Sequence, residues 1–202
     1  MRHYVRPLSD YRKVLKAIIY ALFNRPFFGK IGRWALIYSP LKIVGKRNIF
    51  IEEDVKIGYK TWLSAVPYTG CENCKLLIGK NVSIGNFNHI ISTHSIIIED
   101  NVLTADKVYV SDNIHGYDNI TMPIKLQPIV QKNDVIIGEG SWLGENVCVI
   151  GASIGKHCVI GANSVVTRDI PDYSIAVGAP ARVVKRWDDK EKTWKKISYG
   201  NR

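Results

Sequence analysis

The sequence predicts an all-β protein built as a parallel β-helix, and three patterns carry that prediction. From Ile49 onward, branched aliphatic residues recur every six positions, which is the period of neither an ordinary strand nor an α-helix. These hexads run in phased series, and a long polar segment breaks their phase once. Six-residue repeats are typical of a parallel β-helix, in which each hexad forms one side of a triangular coil.

Four series of three residues define the predicted coils. In each hexad the aliphatic residue faces the core and a small residue fits the corner, and stacked coils share backbone hydrogen bonds, so that each coil needs its neighbours. The step from Val149 to Ile154 is five residues, which predicts one shortened corner. The series are Ile78, Ile84 and Ile90; Ile98, Thr104 and Val110; Ile137, Leu143 and Val149; and Ile154, Ile160 and Val166.

The phase of the hexads is lost between Val110 and Ile137. The intervening segment is polar and contains Gly116, Pro123 and Pro128. Long irregular segments in an otherwise regular domain are commonly functional. We therefore predict that residues 111–134 form a protruding loop inserted into the β-helix.

The charge of the chain is concentrated at the N-terminus. The whole chain carries a net charge of +10, and residues 1–48 hold eleven Lys or Arg against the single acid Asp10, so the remainder is neutral. Residues 9–23 have apolar residues at helical spacing, which predicts an amphipathic helix within a basic segment of residues 1–43. This helix would either lie on an anionic membrane surface or pack on the main domain. Nucleic acid is not expected as a partner, because no motif that reads it is present.

The remaining features predict one domain with appendages. The apolar runs are too short for a transmembrane helix. The spacing of Cys71 and Cys74 is that of half a zinc site, but no second pair completes it, so no metal is expected and the four cysteines are taken as reduced. We assign residues 44–183 to the β-helix and residues 184–202 to a short C-terminal helix or tail that caps it.

Several ordered motifs resemble the hexapeptide-repeat O-acetyltransferases. The motifs are the hexads, the loop of residues 111–117 (SDNIHGY), the run of residues 141–144 (SWLG), the segment of residues 160–167 (IGANSVVT) and the ending of residues 177–183 (VGAPARV). The similarity covers roughly residues 44–187 and is greatest to the branch that acetylates sugars of bacterial capsule, colanic acid or lipopolysaccharide. The resemblance implies a left-handed β-helix and a cytoplasmic homotrimer with active sites between neighbouring subunits.

The resemblance also implies roles for individual residues. His115 corresponds to the loop histidine that acts as general base toward the acceptor hydroxyl, a role that suits imidazole near neutral pH. Asp112 would orient the ring, or would simply turn the loop. Acetyl-CoA would lie in the groove between subunits, and a sugar or glycan precursor would be the acceptor. The residues implied in cofactor binding are Trp142, Gly144, Ala162, Thr167, Arg168, Arg182 and Lys185, and those implied in acceptor binding are Asn86 and Asn88.

Three alternatives remain open from the sequence. The first is an N-acetyltransferase that acts on an amino-sugar nucleotide, because the same base and groove would serve an amine. The second is a metal site like that of the γ-type carbonic anhydrases, formed by His89, His94 and His115. The third is a non-catalytic trimeric scaffold, which the fold alone would allow.

Overall fold

The computed structural model describes residues 8–197, and side chains from residue 11 onward. Within that range, one α-helix is followed by short strands and three 3-10 turns (Arg25–Phe27, Lys46–Asn48 and Ile124–Leu126). The helix is α1 (Leu8–Asn24), and the strands are β1 (Lys30–Ile31), β2 (Leu36–Ile37), β3 (Lys42–Val44), β4 (Ile49–Ile51), β5 (Lys56–Ile57), β6 (Trp62–Ala65), β7 (Lys75–Ile78), β8 (Ser83–Ile84), β9 (His89–Ser92), β10 (Ser95–Ile98), β11 (Leu103–Thr104), β12 (Tyr109–Ser111), β13 (Asn113–His115), β14 (Ile129–Gln131), β15 (Val135–Ile137), β16 (Trp142–Leu143), β17 (Cys148–Ile150), β18 (Val159–Ile160), β19 (Val165–Val166), β20 (Ser174–Gly178), β21 (Ala181–Asp188) and β22 (Thr193–Lys196).

The strands form the three faces of a left-handed parallel β-helix, as predicted. From β1 to β12 and from β15 to β19, successive strands of the chain go to different faces, and each strand pairs in parallel with its equivalent one coil away. Sheet 1 has the order β1-β4-β7-β10-β15, sheet 2 the order β2-β5-β8-β11-β16-β18-β20-β21-β22, and sheet 3 the order β19-β17-β12-β9-β6-β3.

The core is three columns of residues, one behind each sheet. Burying one large aliphatic side chain contributes roughly 1.5–3 kcal/mol, so the columns are the main source of stability. Nearly all of their members are almost completely buried. The columns are Ile31, Ile51, Ile78, Ile98, Ile137, Ile154 and Ile170; Ile37, Ile57, Ile84, Thr104, Leu143, Ile160 and Ala176; and Ile43, Leu63, Ile90, Val110, Val149 and Val166.

The corners of the coils use left-handed backbone conformations. Asn81 and Asn101 adopt φ of 55° and 60° at equivalent corners, and the Asn81 side-chain amide donates a 2.9 Å hydrogen bond to Oδ1 of Asn101. Asparagine adopts this region at less cost than most residues, so these corners follow from the hexad sequence. The shortened corner predicted between Val149 and Ile154 turns at Gly151, whose φ is 55°.

The β-helix begins earlier than residue 44. Strands β1, β2 and β3 form a complete coil below the second one, with Ile31, Ile37 and Ile43 at the hexad positions. The predicted boundary between residues 43 and 44 is therefore wrong. The six-residue spacing of these three isoleucines is the same hexad pattern as in the later coils. It was not recognised because aromatic and basic residues surround them.

The C-terminal segment is β-structure, so the predicted capping helix is wrong. Strand β21 pairs antiparallel with β20, and β22 pairs antiparallel with β21. The rings of Trp187 and Trp194 pack edge to face with centroids 5.5 Å apart. Without this segment, the edge of sheet 2 would have unpaired backbone groups. An antiparallel hairpin forms hydrogen bonds with them, which explains why the segment forms strands and not a helix. Residues 198–202 lie outside the described part.

The inserted segment lies where it was predicted, between the end of β12 and the start of β15. Its base is a two-stranded antiparallel hairpin in which His115 pairs with Ile129 and Asn113 pairs with Gln131. The hairpin leaves the β-helix at the corner between sheet 3 and sheet 1. Across residues 8–197, we find no helix with the length and apolar character that crossing a membrane requires.

Candidate functional site

A cavity of about 620 Å³ lies between the outer face of sheet 3 and the inserted hairpin. Side chains of β3, β6, β9 and β12 form its floor, and the hairpin contributes Ile114, His115 and Ile129. Mostly apolar and aromatic walls with a few polar groups are typical of sites for small molecules. His115 is exposed and lines this cavity.

The floor of the cavity contains a ladder of aromatic and basic side chains that our reading of the sequence missed. Lys42, Trp62, His89 and Tyr109 are register neighbours on four successive strands of sheet 3. The Trp62 and His89 rings meet edge to face with centroids 5.4 Å apart, and Nζ of Lys42 lies 5.1 Å from the Trp62 ring. The sequence feature that could have revealed this ladder is the position of each residue in its hexad. Each one directly precedes an inward aliphatic residue and therefore points outward on the same face.

His115 itself is presented without a side-chain partner. No hydrogen bond to its imidazole is formed by any of residues 11–197, while its backbone is fixed by pairing with Ile129. The neighbouring Gly116 amide donates a 2.9 Å hydrogen bond to the Pro128 carbonyl. The ring nitrogens are therefore available to a molecule bound in the cavity.

Asp112 does not orient His115, so that part of the prediction is wrong. Its carboxylate is completely buried and accepts hydrogen bonds at 2.8–3.0 Å from the turn after β9. The donors are the backbone amides of Thr93, His94 and Ser95, the hydroxyls of Ser92 and Thr93, and the side-chain amide of Asn113. Such a set of donors satisfies a buried carboxylate. Asp112 thus ties the start of the hairpin to the preceding coil.

Gln131 fixes the other strand of the hairpin at the same point. Its side-chain amide donates a 2.9 Å hydrogen bond to the Asp112 carbonyl, and its oxygen accepts from the hydroxyls of Thr93 and Thr69 at 2.8 and 3.0 Å. Both strands that lead to His115 are therefore anchored to coils of the β-helix. Local sequence patterns do not reveal this arrangement, because its members lie up to 62 residues apart.

The two residues predicted to bind the acceptor lie away from this cavity. Asn88 is completely buried. Its side-chain nitrogen donates a hydrogen bond to the Ala105 carbonyl, and its side-chain oxygen accepts one from the backbone amide of Val108. The predicted contact of Asn88 with an acceptor is therefore wrong. Asn86 accepts a hydrogen bond from the Tyr59 amide and lines a separate cavity of about 760 Å³ beside α1. The structure does not bring Asn86 together with His115.

The residues predicted to bind the cofactor divide into two groups. Trp142, Gly144 and Ala162 lie along β16 and the corners that join sheet 2 to sheet 3, and Trp142 is half exposed. A Cβ on Gly144 would lie 2.7 Å from the backbone nitrogen of Ala162, so this glycine allows the coils to stack closely. Arg182 pairs with Val177 and Lys185 with Ile175 at the edge of sheet 2.

Thr167 and Arg168 lie at another corner. They follow β19, where sheet 3 leads back to sheet 1, and both are exposed. The hairpin with His115 leaves the β-helix at this same kind of corner, two coils earlier. Trp142, Gly144 and Ala162 are not among the residues that line the His115 cavity.

The three histidines of the metal alternative do not form a ligand group. His94 bonds Asp134 through Nδ1, and His89 packs on Trp62. Among residues 8–197, no three or more His, Cys, Asp or Glu side chains are grouped so as to hold a metal ion. The geometry of these residues therefore gives no support to the carbonic-anhydrase alternative.

Comparison with known proteins agrees with the repeats. Residues 134–168 match the model of the hexapeptide repeat of succinyl-transferase. A protein of Mycobacterium tuberculosis named as an acetyltransferase is 46% identical over 111 residues, which cover 54% of this chain and 37% of that protein. A protein of Escherichia coli named for O-acetyl transfer in lipopolysaccharide biosynthesis is 35% identical over 128 residues, covering 60% of this chain and 65% of that protein. The chain thus spans less than two thirds of either relative.

A galactoside O-acetyltransferase of E. coli is similar over a longer stretch. It is 29% identical over 181 residues, covering 81% of this chain and 80% of that protein. These similarities confirm the resemblance to the hexapeptide-repeat acetyltransferases that the motifs predicted.

Two solved structures share the fold. AntD, an N-acyltransferase of Bacillus cereus crystallised with dTDP and 3-hydroxybutyryl-CoA, superposes with a TM-score of 0.71 at 21% identity, covering 85% of this chain and 90% of that one. A hexapeptide-repeat acetyltransferase of Vibrio cholerae crystallised with acetyl-CoA gives a TM-score of 0.55 at 25% identity, covering 86% and 79%. The left-handed β-helix is thus shared with acyltransferases.

Proposed function

We propose that this chain transfers an acetyl group from acetyl-CoA to a sugar hydroxyl of a bacterial surface-polysaccharide or glycolipid precursor. The observation that carries the proposal is the position of His115, exposed over an aromatic-lined cavity on a hairpin anchored by Asp112 and Gln131. The similarity to proteins named for acetyl transfer to sugars supports the acceptor class.

His115 would act as the general base in a direct transfer. Its unprotonated ring nitrogen would take the proton of the acceptor hydroxyl as the oxygen attacks the thioester carbonyl. Backbone amides of the groove would stabilise the resulting oxyanion. As the tetrahedral intermediate collapses and the C–S bond breaks, the imidazolium would return the proton to the departing thiolate. No covalent enzyme intermediate is needed, and none of the four cysteines takes part.

The acceptor would bind on the floor of the His115 cavity. The ladder of Trp62, His89 and Tyr109 offers ring faces and edges on which a sugar ring or a base can pack. Lys42 at the end of the ladder would favour an acceptor that carries a phosphate group, as nucleotide- and lipid-linked sugars do. This location replaces the acceptor site predicted at Asn86 and Asn88.

The cofactor would be bound by a second copy of the chain. The small-residue corner at Gly144 and Ala162 does not line the His115 cavity, so a single chain does not offer both in one site. A homotrimer would place the hairpin of one subunit against the corner of the next. Gly144 and Ala162 leave room there for the pantetheine arm, with Trp142 beside it, and Arg168, Arg182 and Lys185 would face the nucleotide phosphates.

We place the reaction in the cytoplasm, where acetyl-CoA is available. Precursors of surface glycans are assembled at the inner face of the membrane, and the basic N-terminal helix α1 would be the part of the chain that meets it.

Release of free thiol from acetyl-CoA in the presence of glycan acceptors tests the activity. We expect acceptor-dependent release by the wild type and a fall of about 10²–10⁴-fold in His115→Ala, with coenzyme A binding retained. His157→Ala is the matched control, because His157 stacks on Tyr173 away from the cavity. Full activity of His115→Ala would refute its role as base, and absence of coenzyme A binding by the wild type would refute the whole proposal.

The same assay separates O-acetyl from N-acetyl transfer. A panel that pairs each hydroxyl sugar with its amino counterpart, both free and as nucleotide conjugates, would show which nucleophile is used. Turnover confined to the amino sugars would replace the proposed acceptor with an amino-sugar nucleotide.

A further inference from the structure

Helix α1 packs on the β-helix through small residues. Ala17 and Ala21 are 2% and 4% exposed, and the helix lies against β2 of the first coil. Tyr20, on the same side, is half-buried against the core. Alanines allow the helix to approach the coil closely, so its attachment does not use its large apolar side chains.

Those large side chains form a separate, exposed face. Leu15, Ile19, Leu22 and Phe23 recur at intervals of three and four residues, which places them on one side of the helix. Their exposed fractions are 56%, 43%, 54% and 77%. From the sequence, this helix could pack either on the main domain or on a membrane surface. In the structure, the β-helix does not cover this apolar face.

Two further large aromatic side chains are exposed after the helix. Phe27 and Trp34, in the segment that leads into the first coil, are 57% and 70% exposed. Isolated exposed apolar residues are ordinary, but a contiguous helical stripe with further large aromatics is typical of an interaction surface. Aromatic side chains with an apolar body suit the boundary between water and lipid.

The charge around this surface is of one sign. Residues 11–48 contain nine Lys or Arg and no Asp or Glu. Arg12 and Lys16 are exposed on α1, and no ion pair within the described residues engages either of them. A second copy of the chain would bring the same positive charges against these, whereas an anionic surface would neutralise them.

We propose that the exposed face of α1, formed by Leu15, Ile19, Leu22 and Phe23, binds the surface of an anionic phospholipid bilayer. The helix lies parallel to the membrane. Its apolar face is buried at the boundary between headgroups and acyl chains, and Arg12 and Lys16 lie near the lipid phosphates. Its alanine face holds the β-helix, so binding to lipid requires no unfolding of the first coil. The contact is independent of acetyl transfer, and each can be tested without the other.

Co-sedimentation of the full chain with vesicles tests the proposal without acyl donor or acceptor. We expect the wild type to sediment with equimolar phosphatidylglycerol and phosphatidylcholine, and to remain in the supernatant with phosphatidylcholine alone. The double variant Leu22→Glu/Phe23→Glu, at positions outside the core, should lose about tenfold or more of the binding. Arg12→Gln/Lys16→Gln should weaken binding and reduce its sensitivity to salt.

Ile120→Glu is the control variant, because Ile120 is 97% exposed but lies on the inserted hairpin. It should bind vesicles like the wild type. No sedimentation of the wild type with the anionic vesicles, or equal binding by the Leu22/Phe23 double variant, would overturn the proposal. A loss of oligomeric mass in that double variant, measured by light scattering without lipid, would instead identify this face as an interface between copies.

Discussion

The carboxylate of Asp112 accepts hydrogen bonds from the backbone amide of Thr93, which lies 2.9 and 3.0 Å from its two oxygens. Thr93 follows β9 in one coil, and Asp112 opens the hairpin of the next coil, so the bond joins the base of the His115 hairpin to the body of the β-helix. Asp112, which the sequence predicts as a possible partner of His115, thus holds the His115 hairpin in place instead.

Replacing Asp112 with asparagine should loosen this hairpin. The asparagine side chain would place its own NH2 group among the backbone amides that donate to Asp112, and it would remove the negative charge. We therefore expect the free energy of unfolding in urea to fall by about 1–3 kcal/mol. Hydrogen exchange of the hairpin amides should become faster, and acceptor turnover should fall while binding of coenzyme A is retained. Asp134→Asn is the control, because Asp134 is half exposed and pairs only at the surface with His94. Unchanged exchange in the hairpin would show that Asp112 does not position it.

Replacing Trp62 with leucine should weaken binding of the acceptor. The substitution removes the ring that packs edge to face against His89 and lies below Nζ of Lys42, and we expect KM for the acceptor to rise about three- to tenfold. KM for acetyl-CoA should change less, because Trp62 lines the His115 cavity, whereas Trp142, Gly144 and Ala162 of the proposed cofactor groove do not. Phe50→Leu provides the matched control, since Phe50 is an aromatic residue on the outer face of sheet 1. Equal effects of the two variants on acceptor KM would place the acceptor elsewhere.

A methyl group at Gly144 should be costly, whereas the equivalent change one coil away should be tolerated better. A Cβ at Gly144 would meet backbone atoms of Ala162 and Ile160 at 2.7 and 3.0 Å, while a Cβ at Gly161 would meet the side chain of Val177 at 2.7 Å. We expect Gly144→Ala to reduce the free energy of unfolding by about 1–3 kcal/mol and Gly161→Ala to reduce it by less. Thermal unfolding of both variants measures this difference. The reverse order would show that the coil backbone yields more easily than the Val177 side chain.

Alkaline pH should destabilise the fold partly through Cys74. Burial raises the pKa of this thiol from 9.0 to about 11, so the folded protein retains the proton over a range in which the unfolded chain loses it. The corresponding stability is present below pH 9 and is lost as the pH rises toward 11. Urea unfolding across this range should show a smaller loss of stability in Cys74→Ala than in the wild type. An identical pH dependence in the two proteins would contradict the prediction.

The fold could be predicted from the sequence because a β-helix is local. Each hexad carries its own inward residue and its own corner, so the coils from Ile49 onward and the interruption at residues 111–134 are visible in the sequence and confirmed in the structure. The first coil carried the same signal in Ile31, Ile37 and Ile43 and was missed among basic and aromatic residues. The resemblance to the hexapeptide-repeat acetyltransferases also singled out His115, which does line a cavity.

What the tertiary structure alone decided depends on stacking between coils. Lys42, Trp62, His89 and Tyr109 become neighbours only because four coils are in register, and Asp112 finds its donors in a turn that lies 17 to 20 residues earlier. The same register buries Asn88 and draws the C-terminal segment into the open edge of sheet 2 as strands. Local sequence determines which way a side chain points in its own coil. Which residue of the next coil stacks on that side chain depends on the number of residues in the coil that separates them. These stacked neighbours determine the chemistry of the surface.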